Sequence, residues 1–172
     1  MKTNKKILFI APTPFFSDRG CHVRILEEAK ALKKRGHKIT IVTYHIGKDV
    51  SGICAERILN VPWYKKTEAG PSYHKIYLDL LLFVKCLSVM RKDRYDIIHA
   101  HLHEGVLIGY IINILLRMIG RRKLLVADIQ GSLVKEMIDH GYLKNSLMRK
   151  IFHSIEMLIL KMPDLIITSS TN

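Results

Sequence analysis

Three histidines, His99, His101 and His103, alternate with other residues in one short segment, and Glu104 follows directly. In an extended chain these imidazoles lie on the same side of the strand. Imidazoles are common zinc ligands, but no cysteine or matched carboxylate set follows at metal-ligand spacing. A polar pocket, in which a histidine exchanges a hydrogen bond with a sugar hydroxyl, is therefore favoured over a metal site. The structural alternative is that one histidine is a core residue and another is merely exposed.

A second polar group surrounds Gly131 and consists of Asp128, Gln130 and Ser132. The carboxylate of Asp128 could orient a hydroxyl nucleophile or take its proton. Ser132 can cap the following helix. Capping and turn formation explain Ser132 and Gly131 without a ligand, but they explain Asp128 and Gln130 less well.

The third candidate is the loop before Gly20, which lies just ahead of an amphipathic segment. The first N–H groups of a helix are unsatisfied and point outward, so a phosphate or carboxylate could bind there. Arg19 and Arg24 lie nearby in the sequence. The loop lacks a GxGxxG pattern, and a plain turn at Gly20 is the alternative.

Apolar runs and amphipathic segments alternate along the chain and predict the elements that position these residues. Strands are expected at Ile7–Ala11, Lys38–Tyr44, Arg57–Val61, Asp96–Ala100, Leu124–Ala127 and Leu165–Thr168. Helices are expected from the Gly20 loop to Arg35, from about Tyr73 to Met90, from Gly105 to Ile119, from Ser132 to His140 and from Leu147 to Met162.

This alternation predicts a single α/β domain over residues 1–172, a Rossmann-like, doubly wound and mostly parallel sheet of about six strands. In such sheets, ligands bind beyond the carboxyl ends of the strands, near the switch in strand order. The three polar loops all follow strands. We therefore expect them to converge at one edge of the sheet.

The composition, 48% hydrophobic and 25% charged residues, is typical of a globular protein. Three scattered cysteines without a CxxC pair favour a reducing cytoplasm. The apolar stretches at 76–90 and 105–119 carry charged or polar residues, and the second is shorter than the ~20 residues a bilayer span needs. Both are interpreted as buried helices.

The formal net charge of +13 would attract any polyanion, including nucleic acid, nucleotide phosphates and anionic lipid. Many basic residues stand at predicted helix ends, where cations suit the helix dipole. With Trp63 and Tyr64 as candidate exposed aromatic residues, the charge suggests docking on an anionic membrane surface. A stand-alone nucleotide- or nucleic-acid-binding domain is the alternative, although no recognised nucleic-acid module is present.

Three segments resemble retaining glycosyltransferases of family 4, which have the GT-B fold. They are "ILFIAPTPFFSDRGCHVRILEEAKALKKRGHKITIVT", "YDIIHAHLHEG" and "PDLIITSS", and they occur in the family's order over nearly the whole chain. The resemblance implies an N-terminal, acceptor-side domain whose C-terminal donor-binding domain is absent here. It implies transfer from a nucleotide-sugar to an acceptor hydroxyl, without cofactor or required metal. The basic excess and the candidate exposed aromatic residues suggest a cell-envelope or lipid-linked glycan as the acceptor. A nucleotide-sugar epimerase of the same architecture is the alternative.

The resemblance also suggests roles for individual residues. Gly20 corresponds to the loop that approaches the donor phosphates, although the family usually has a pair of glycines where this chain has Arg19 and Gly20. His101 corresponds to the second histidine of the IHAH segment. The family commonly has a histidine where this chain has Gln130, and glutamine is no base at neutral pH. Asp128 and His101 are therefore the expected catalytic groups, with the other residues of the three loops binding substrate.

Overall fold

The computed structural model describes residues 4–17, 20–65 and 73–168. Its described part contains six strands, all in one parallel sheet with the order β3-β2-β1-β4-β5-β6. The strands are β1 (Lys6–Ala11), β2 (Lys38–Thr43), β3 (Cys54–Arg57), β4 (Ile97–His101), β5 (Leu124–Ile129) and β6 (Leu165–Thr168). The predicted Rossmann-like fold with about six parallel strands is confirmed, and the strand order reverses between β1 and β4.

The described helices are α1 (Gly20–Lys34), α2 (His74–Lys92), α3 (Leu102–Met118), α4 (Leu133–Asp139) and α5 (Ser146–Ile159). Helix α1 packs Ile25, Leu26 and Ala29 on Phe9 of β1, on one face of the sheet. Helices α2 and α3 cover the opposite face with a larger apolar core, to which α5 contributes Ile159. Both faces of the central strands are therefore buried, as their continuous apolar runs predict.

The third strand lies earlier in the chain than the sequence predicts. It covers Cys54–Arg57 instead of Arg57–Val61, and it pairs with β2 from Thr40↔Cys54 to Thr43↔Arg57. Because β2 ends at Thr43, the chain beyond Arg57 has no neighbour with which to continue a ladder. The apolar residues that suggested a strand there, Ile58 and Val61, are instead buried as loop residues against the core.

The fourth strand ends at a tight turn within the histidine segment. It extends to His101, and Leu102 has a positive φ of 61°, which places it in the left-handed region. A left-handed conformation costs a non-glycine residue about 1–2 kcal/mol. The turn takes the chain directly into α3, so His99 and His101 share one face of the sheet while His103 belongs to a helix.

None of the helices in the described part of the chain combines the length and apolarity that a bilayer span demands. Helices α2 and α3 instead bury one side of their apolar surface against the sheet, as the sequence predicts for the stretches 76–90 and 105–119.

Candidate functional site

The loops after β1, β4 and β5 meet at the carboxyl edge of the sheet, at the reversal of strand order. The β4–β5 register places His101 directly beside Asp128. From the other direction, α1 brings Arg24 over the same position, and its Nε lies 2.9 Å from Oδ1 of Asp128. The loop that precedes α1 and the two strand ends are therefore tied together through one carboxylate.

Asp128 is fully buried and accepts hydrogen bonds from three side chains. Arg24 donates from Nε at 2.9 Å and 3.0 Å to the two carboxylate oxygens, and its Nη2 lies 2.6 Å from Oδ1. His101 contributes Nδ1 at 3.1 Å from Oδ2, and Gln130 donates from Nε2 at 2.8 Å. The planar guanidinium contacts both carboxylate oxygens, which orients α1 on β5.

Charge and burial act on this cluster in opposite directions. Burial alone would raise the pKa of Asp128, but hydrogen bonds from His101, Arg24 and Gln130 lower it to about 2. Burial lowers the pKa of His101, although Asp128 opposes that shift. At neutral pH Asp128 is thus an anion and His101 is neutral. Because a carboxylate only accepts, Nδ1 of His101 carries the proton and Nε2 carries the lone pair.

Glu28 and His99 lie beside this cluster. Glu28 follows Arg24 by one turn of α1, and His99 precedes His101 by two residues in β4. Oε1 of Glu28 is 3.1 Å from Nε of Arg24, and its Oε2 is 3.4 Å from Nε2 of His99. The rings of His99 and His101 stack with centroids 4.7 Å apart. Burial, followed by the charge of Asp128, raises the pKa of Glu28 to about 7, while burial and then His101 lower the pKa of His99 to about 3.

The loop after β5 is held from below by Glu156 of α5, a buried carboxylate. Its Oε1 accepts the backbone N–H of Leu133 at 2.7 Å, and its Oε2 accepts from Oγ of Ser132 at 3.2 Å. Ser132 caps α4, as predicted, by accepting from the N–H of Lys135. His103 is buried with Nε2 at 3.4 Å from Glu156. The second polar loop is therefore fixed to α5.

The predicted site residues separate into an exposed rim and a buried layer beneath it. Gly20, Gly131 and Ser132 are exposed and Gln130 is half-buried, so these residues form the rim. His101, His103 and Asp128 are buried beneath them. Arg19, another predicted substrate-binding residue, lies outside the described residues. The structure thus brings the three predicted loops together, while the two expected catalytic side chains lie below the surface.

Glu104 belongs to a different polar cluster, near the start of α2. Nζ of Lys75 lies 2.7 Å from Oε1 of Glu104, and nearby the hydroxyl of Tyr44 donates to Oδ1 of Asp79 at 2.5 Å. Burial opposes ionisation of Glu104, but Lys75 lowers its pKa. Burial raises the pKa of Asp79 to about 7. Because Tyr44 directly follows β2, this cluster also lies at the carboxyl edge of the sheet.

An aromatic series extends from that cluster along the edge. His45 and Tyr64 have ring centroids 6.1 Å apart, Tyr64 and His74 are 5.5 Å apart, and His74 and Tyr77 are 5.6 Å apart. Aromatic faces next to hydrogen-bonding groups suit a ligand with both apolar and polar surfaces, such as a sugar ring.

The loop after β1 is anchored by two side chains. Arg57 donates from Nη1 to the carbonyl oxygens of Phe15 at 2.6 Å and Ile46 at 3.0 Å. His22 of α1 contacts the hydroxyl of Thr13 through Nε2, and its Nδ1 accepts the backbone N–H of Ser17 at 3.1 Å. Residues 13–17 of this loop are therefore positioned by contacts with the side chains of Arg57 and His22.

Sequence reasoning missed three charged residues of the site: the carboxylates Glu28 and Glu156 and the cation Lys75. The sequence predicts that Arg24 lies near a bound anion, but the anion that it contacts in the structure is Asp128 of the protein itself. The i, i+4 spacing of Arg24 and Glu28 was a signal that both face the same side of α1. For Glu156 and Lys75, no local pattern separates them from the chain's other charged residues.

The family model of Glycosyltransferase Family 4 matches residues 19–172. No curated protein matches the chain in sequence. Among solved structures, a sucrose-phosphate synthase from Thermosynechococcus elongatus is similar to 97% of this chain, with 16% identity and a TM-score of 0.69. This chain covers 43% of that structure.

Two further structures share the fold at similar identity. An alpha-glucosyltransferase, solved with UDP and a 13-mer DNA, aligns with 96% of this chain at 13% identity and a TM-score of 0.52. CalG4, the calicheamicin glycosyltransferase, aligns with 92% of it at 17% identity and a TM-score of 0.52. The chain covers 38% and 41% of these structures, so it spans less than half the length of each.

Proposed function

The chain belongs to Glycosyltransferase Family 4, and on that premise we propose that it forms the acceptor-side domain of an enzyme that transfers a sugar from a nucleotide-sugar to an acceptor hydroxyl. The proposal includes retention of configuration, a second domain that holds most of the donor, and a transfer step that needs no cofactor or metal. A cell-envelope or lipid-linked glycan is the proposed acceptor.

The observation that carries this proposal is the convergence of three loops at the strand-order reversal, joined by the Arg24–Asp128 ion pair. A cleft at this position is where doubly wound sheets bind ligands. The edge offers the hydrogen-bonding groups of Gln130 and Ser132 and the exposed backbone of Gly20 and Gly131, and the aromatic series beside the Lys75–Glu104 pair lies along the same edge. These are groups that recognise hydroxyls, phosphates and sugar rings.

We assign positioning roles to Asp128 and His101. Neither side chain is exposed, and the carboxylate is already engaged by three donors, so it is poorly suited to accept an acceptor's proton. Asp128 instead holds the amide of Gln130 and the guanidinium of Arg24 in place beneath the rim. Gln130 can then donate or accept a hydrogen bond at the ligand, which a glutamine does without changing protonation state.

A ligand-mapping experiment tests the placement of this cleft. Nucleotide-sugars and oligosaccharides are titrated into the isotopically labelled chain, and amide chemical shifts are followed by NMR. We expect changes at Gly20 and from Gln130 to Ser132, and none at Lys38 on the opposite edge. Changes confined to the Lys38 edge, or none with any ligand, would contradict the proposed cleft.

A transfer assay tests the activity, using the complete protein that contains this chain and a panel of nucleotide-sugar donors. Gln130→Ala should lower kcat/KM about tenfold, which corresponds to loss of one hydrogen bond worth ~1.4 kcal/mol in the transition state. Lys38→Ala, an exposed substitution at the far edge, is the matched control. Isomerised nucleotide-sugar without any transfer product would favour an epimerase instead.

We also propose that the domain is cytoplasmic and docks on an anionic membrane surface. Trp63 is 75% exposed, whereas Tyr64 is buried and cannot contribute. Helix α5 adds further exposed apolar side chains next to basic ones, which is the pattern of interfacial helices. Its exposed apolar residues are Leu147, Met148, Ile151, Ile155, Met157 and Leu158, and its basic residues are Arg149 and Lys150.

Vesicle sedimentation tests the docking. Binding should be stronger to vesicles with anionic phospholipid than to neutral ones, and the paired change Arg149→Gln with Lys150→Gln should weaken it about thirtyfold, at ~1 kcal/mol for each of the two residues near the surface. Lys33→Gln with Lys34→Gln, at the end of α1, is the control pair. Equal binding to neutral and anionic vesicles would rule out the proposed surface.

A further inference from the structure

Below the rim, three potential metal ligands from α1 and β4 lie together. One oxygen of Glu28 and one nitrogen each of His99 and His101 all lie within 4.8 Å of one another. We propose that Glu28, His99 and His101 bind a divalent transition-metal ion, with Zn²⁺ as the reference ion. This site goes beyond the glycosyl transfer proposed above and does not depend on it.

The first argument is that the three ligand atoms are buried and make no hydrogen bond to any described residue. Oε2 of Glu28, Nε2 of His99 and Nε2 of His101 are buried and lack a hydrogen-bond partner within the described part of the chain. A buried polar atom left unpaired destabilises the folded protein. Three such atoms from three neighbouring side chains are explained together by one cation.

The second argument is that both ends of the ligand set are already oriented. Nδ1 of His101 lies 3.1 Å from Oδ2 of Asp128, an arrangement in which the carboxylate fixes the ring and leaves Nε2 free to bind a metal. Arg24 holds Oε1 of Glu28 at 3.1 Å, and the remaining oxygen, Oε2, lies 3.4 Å from Nε2 of His99. Asp128 offsets the positive charge of Arg24 near the ion.

The third argument concerns which ion fits. Two imidazoles and one carboxylate are ligands for Zn²⁺ and its neighbours in the transition series, whereas Mg²⁺ and Ca²⁺ prefer oxygen alone. Tetrahedral zinc ligands lie roughly 3.3 Å apart, given bonds of about 2.0–2.1 Å. Glu28 and His99 already have this spacing, at 3.4 Å, whereas the stacked rings of His99 and His101 have centroids 4.7 Å apart, so one of these rings has to turn toward the other on binding.

The ion and a fourth ligand have a route to the site. A cavity of about 440 Å³ lies between α1 and the β5–β6 side of the sheet, and Glu28 and His99 both line it. Water entering from this cavity can complete a four-coordinate site. Because Glu28 belongs to α1 and the histidines to β4, the ion would fasten the helix that positions Gly20 to the centre of the sheet.

The test uses the full chain after chelation with EDTA. Co²⁺, which reports coordination through visible absorption, and Zn²⁺ are titrated separately, and thermal unfolding is followed with and without Zn²⁺. We expect one equivalent to bind, d–d bands of a tetrahedral nitrogen–oxygen site, and an increase in Tm of about 5–10 °C at a hundredfold excess over Kd.

Two site variants and two control variants separate this site from other histidines and cysteines. Glu28→Gln and His99→Gln should each weaken Zn²⁺ binding at least tenfold and abolish the Co²⁺ bands. His153→Gln and Cys54→Ser, at an exposed histidine and an exposed cysteine outside the site, should leave the Zn²⁺ affinity and the Co²⁺ bands unchanged. Circular dichroism verifies folding, and Glu28→Gln alone decides the case if His99→Gln does not fold. Unchanged affinity in Glu28→Gln, thiolate charge-transfer bands, or no binding at millimolar Zn²⁺ would overturn the proposal.

Discussion

Arg24 and Asp128 are 104 residues apart in the chain, yet the guanidinium Nη2 lies 2.6 Å from the carboxylate Oδ1 and the acid is completely buried. This pair joins the first helix to the fifth strand at the point where the strand order reverses. Since its two partners sit below the loops that form the candidate cleft, the pair determines how those loops are spaced. Loss of this ion pair should therefore change the stability of the protein more directly than it changes the contacts with a ligand.

The first prediction concerns this ion pair. Asp128→Asn should lower the free energy of unfolding by about 2–3 kcal/mol at pH 7, because the partly exposed Arg24 loses the charge that compensates it. Urea denaturation in EDTA measures the change. Combined with Arg24→Met, the double mutant should lose ~1–2 kcal/mol less than the sum of the single changes. Asp139→Asn, at an exposed position in α4, serves as the control, and strict additivity would argue against the coupling.

The second prediction is a pH dependence of stability that arises from Asp79. Its folded-state pKa of about 7 lies above the ordinary value of 3.8, so the folded protein binds the extra proton between these two values. The contribution is fully present below pH 3.8 and is lost as the pH rises to about 7. The free energy of unfolding of Asp79→Asn, relative to that of the unmodified chain, should therefore increase by about 2 kcal/mol as the pH rises from 5 to 8.

Chemical denaturation at each pH measures this difference. Asparagine keeps an oxygen that can accept from the hydroxyl of Tyr44, so the hydrogen bond at 2.5 Å is retained while the charge is removed. Asp139→Asn should run parallel to the unmodified chain across the same range. A difference that stays flat from pH 5 to pH 8 would mean that Asp79 titrates normally.

The third prediction concerns Gly47, in the loop that supports the chain before Gly20. It has a φ of 125°, and a Cβ there would lie 2.1 Å from the carbonyl oxygen of Phe15. Gly47→Ala should lower the free energy of unfolding by roughly 1–3 kcal/mol, since backbone and not a flexible side chain must move. Gly131→Ala, where a Cβ meets nothing within 4 Å, should change stability little. Equal thermal stability of the two variants would refute the close approach.

The fourth prediction concerns the carboxylate beneath the rim. Glu156→Gln should destabilise the protein by about 1 kcal/mol, because the amide of Leu133 then donates to a neutral acceptor at the start of α4. Amide hydrogen exchange should accelerate at Leu133 and Lys135. Glu27→Gln, on the exposed face of α1, is the comparison. Unaltered exchange at Leu133 would show that Glu156 does not hold this loop.

The sequence alone was sufficient for the architecture. The run around Phe9 is apolar at consecutive positions, which is typical of a strand buried on both faces, and the helices have a distinct period. Once strands and helices alternate, a parallel sheet and a ligand edge at its carboxyl ends follow from general rules. The predicted position of β3 was wrong because an edge strand ends where its neighbour ends. The end of β2 at Thr43 therefore determines where β3 ends.

Only the tertiary structure decided which polar side chains meet. The strand order places His101 beside Asp128, and the rotation of α1 about its axis directs Arg24 and Glu28 onto them. These contacts join residues from three elements, so no local spacing encodes them. Burial then sets the surroundings of these residues, because Asp128 lies below the rim and hydrogen bonds from three donors lower its pKa to about 2. The sequence determined where the cleft lies, and packing determined which side chains line it and which support it from below.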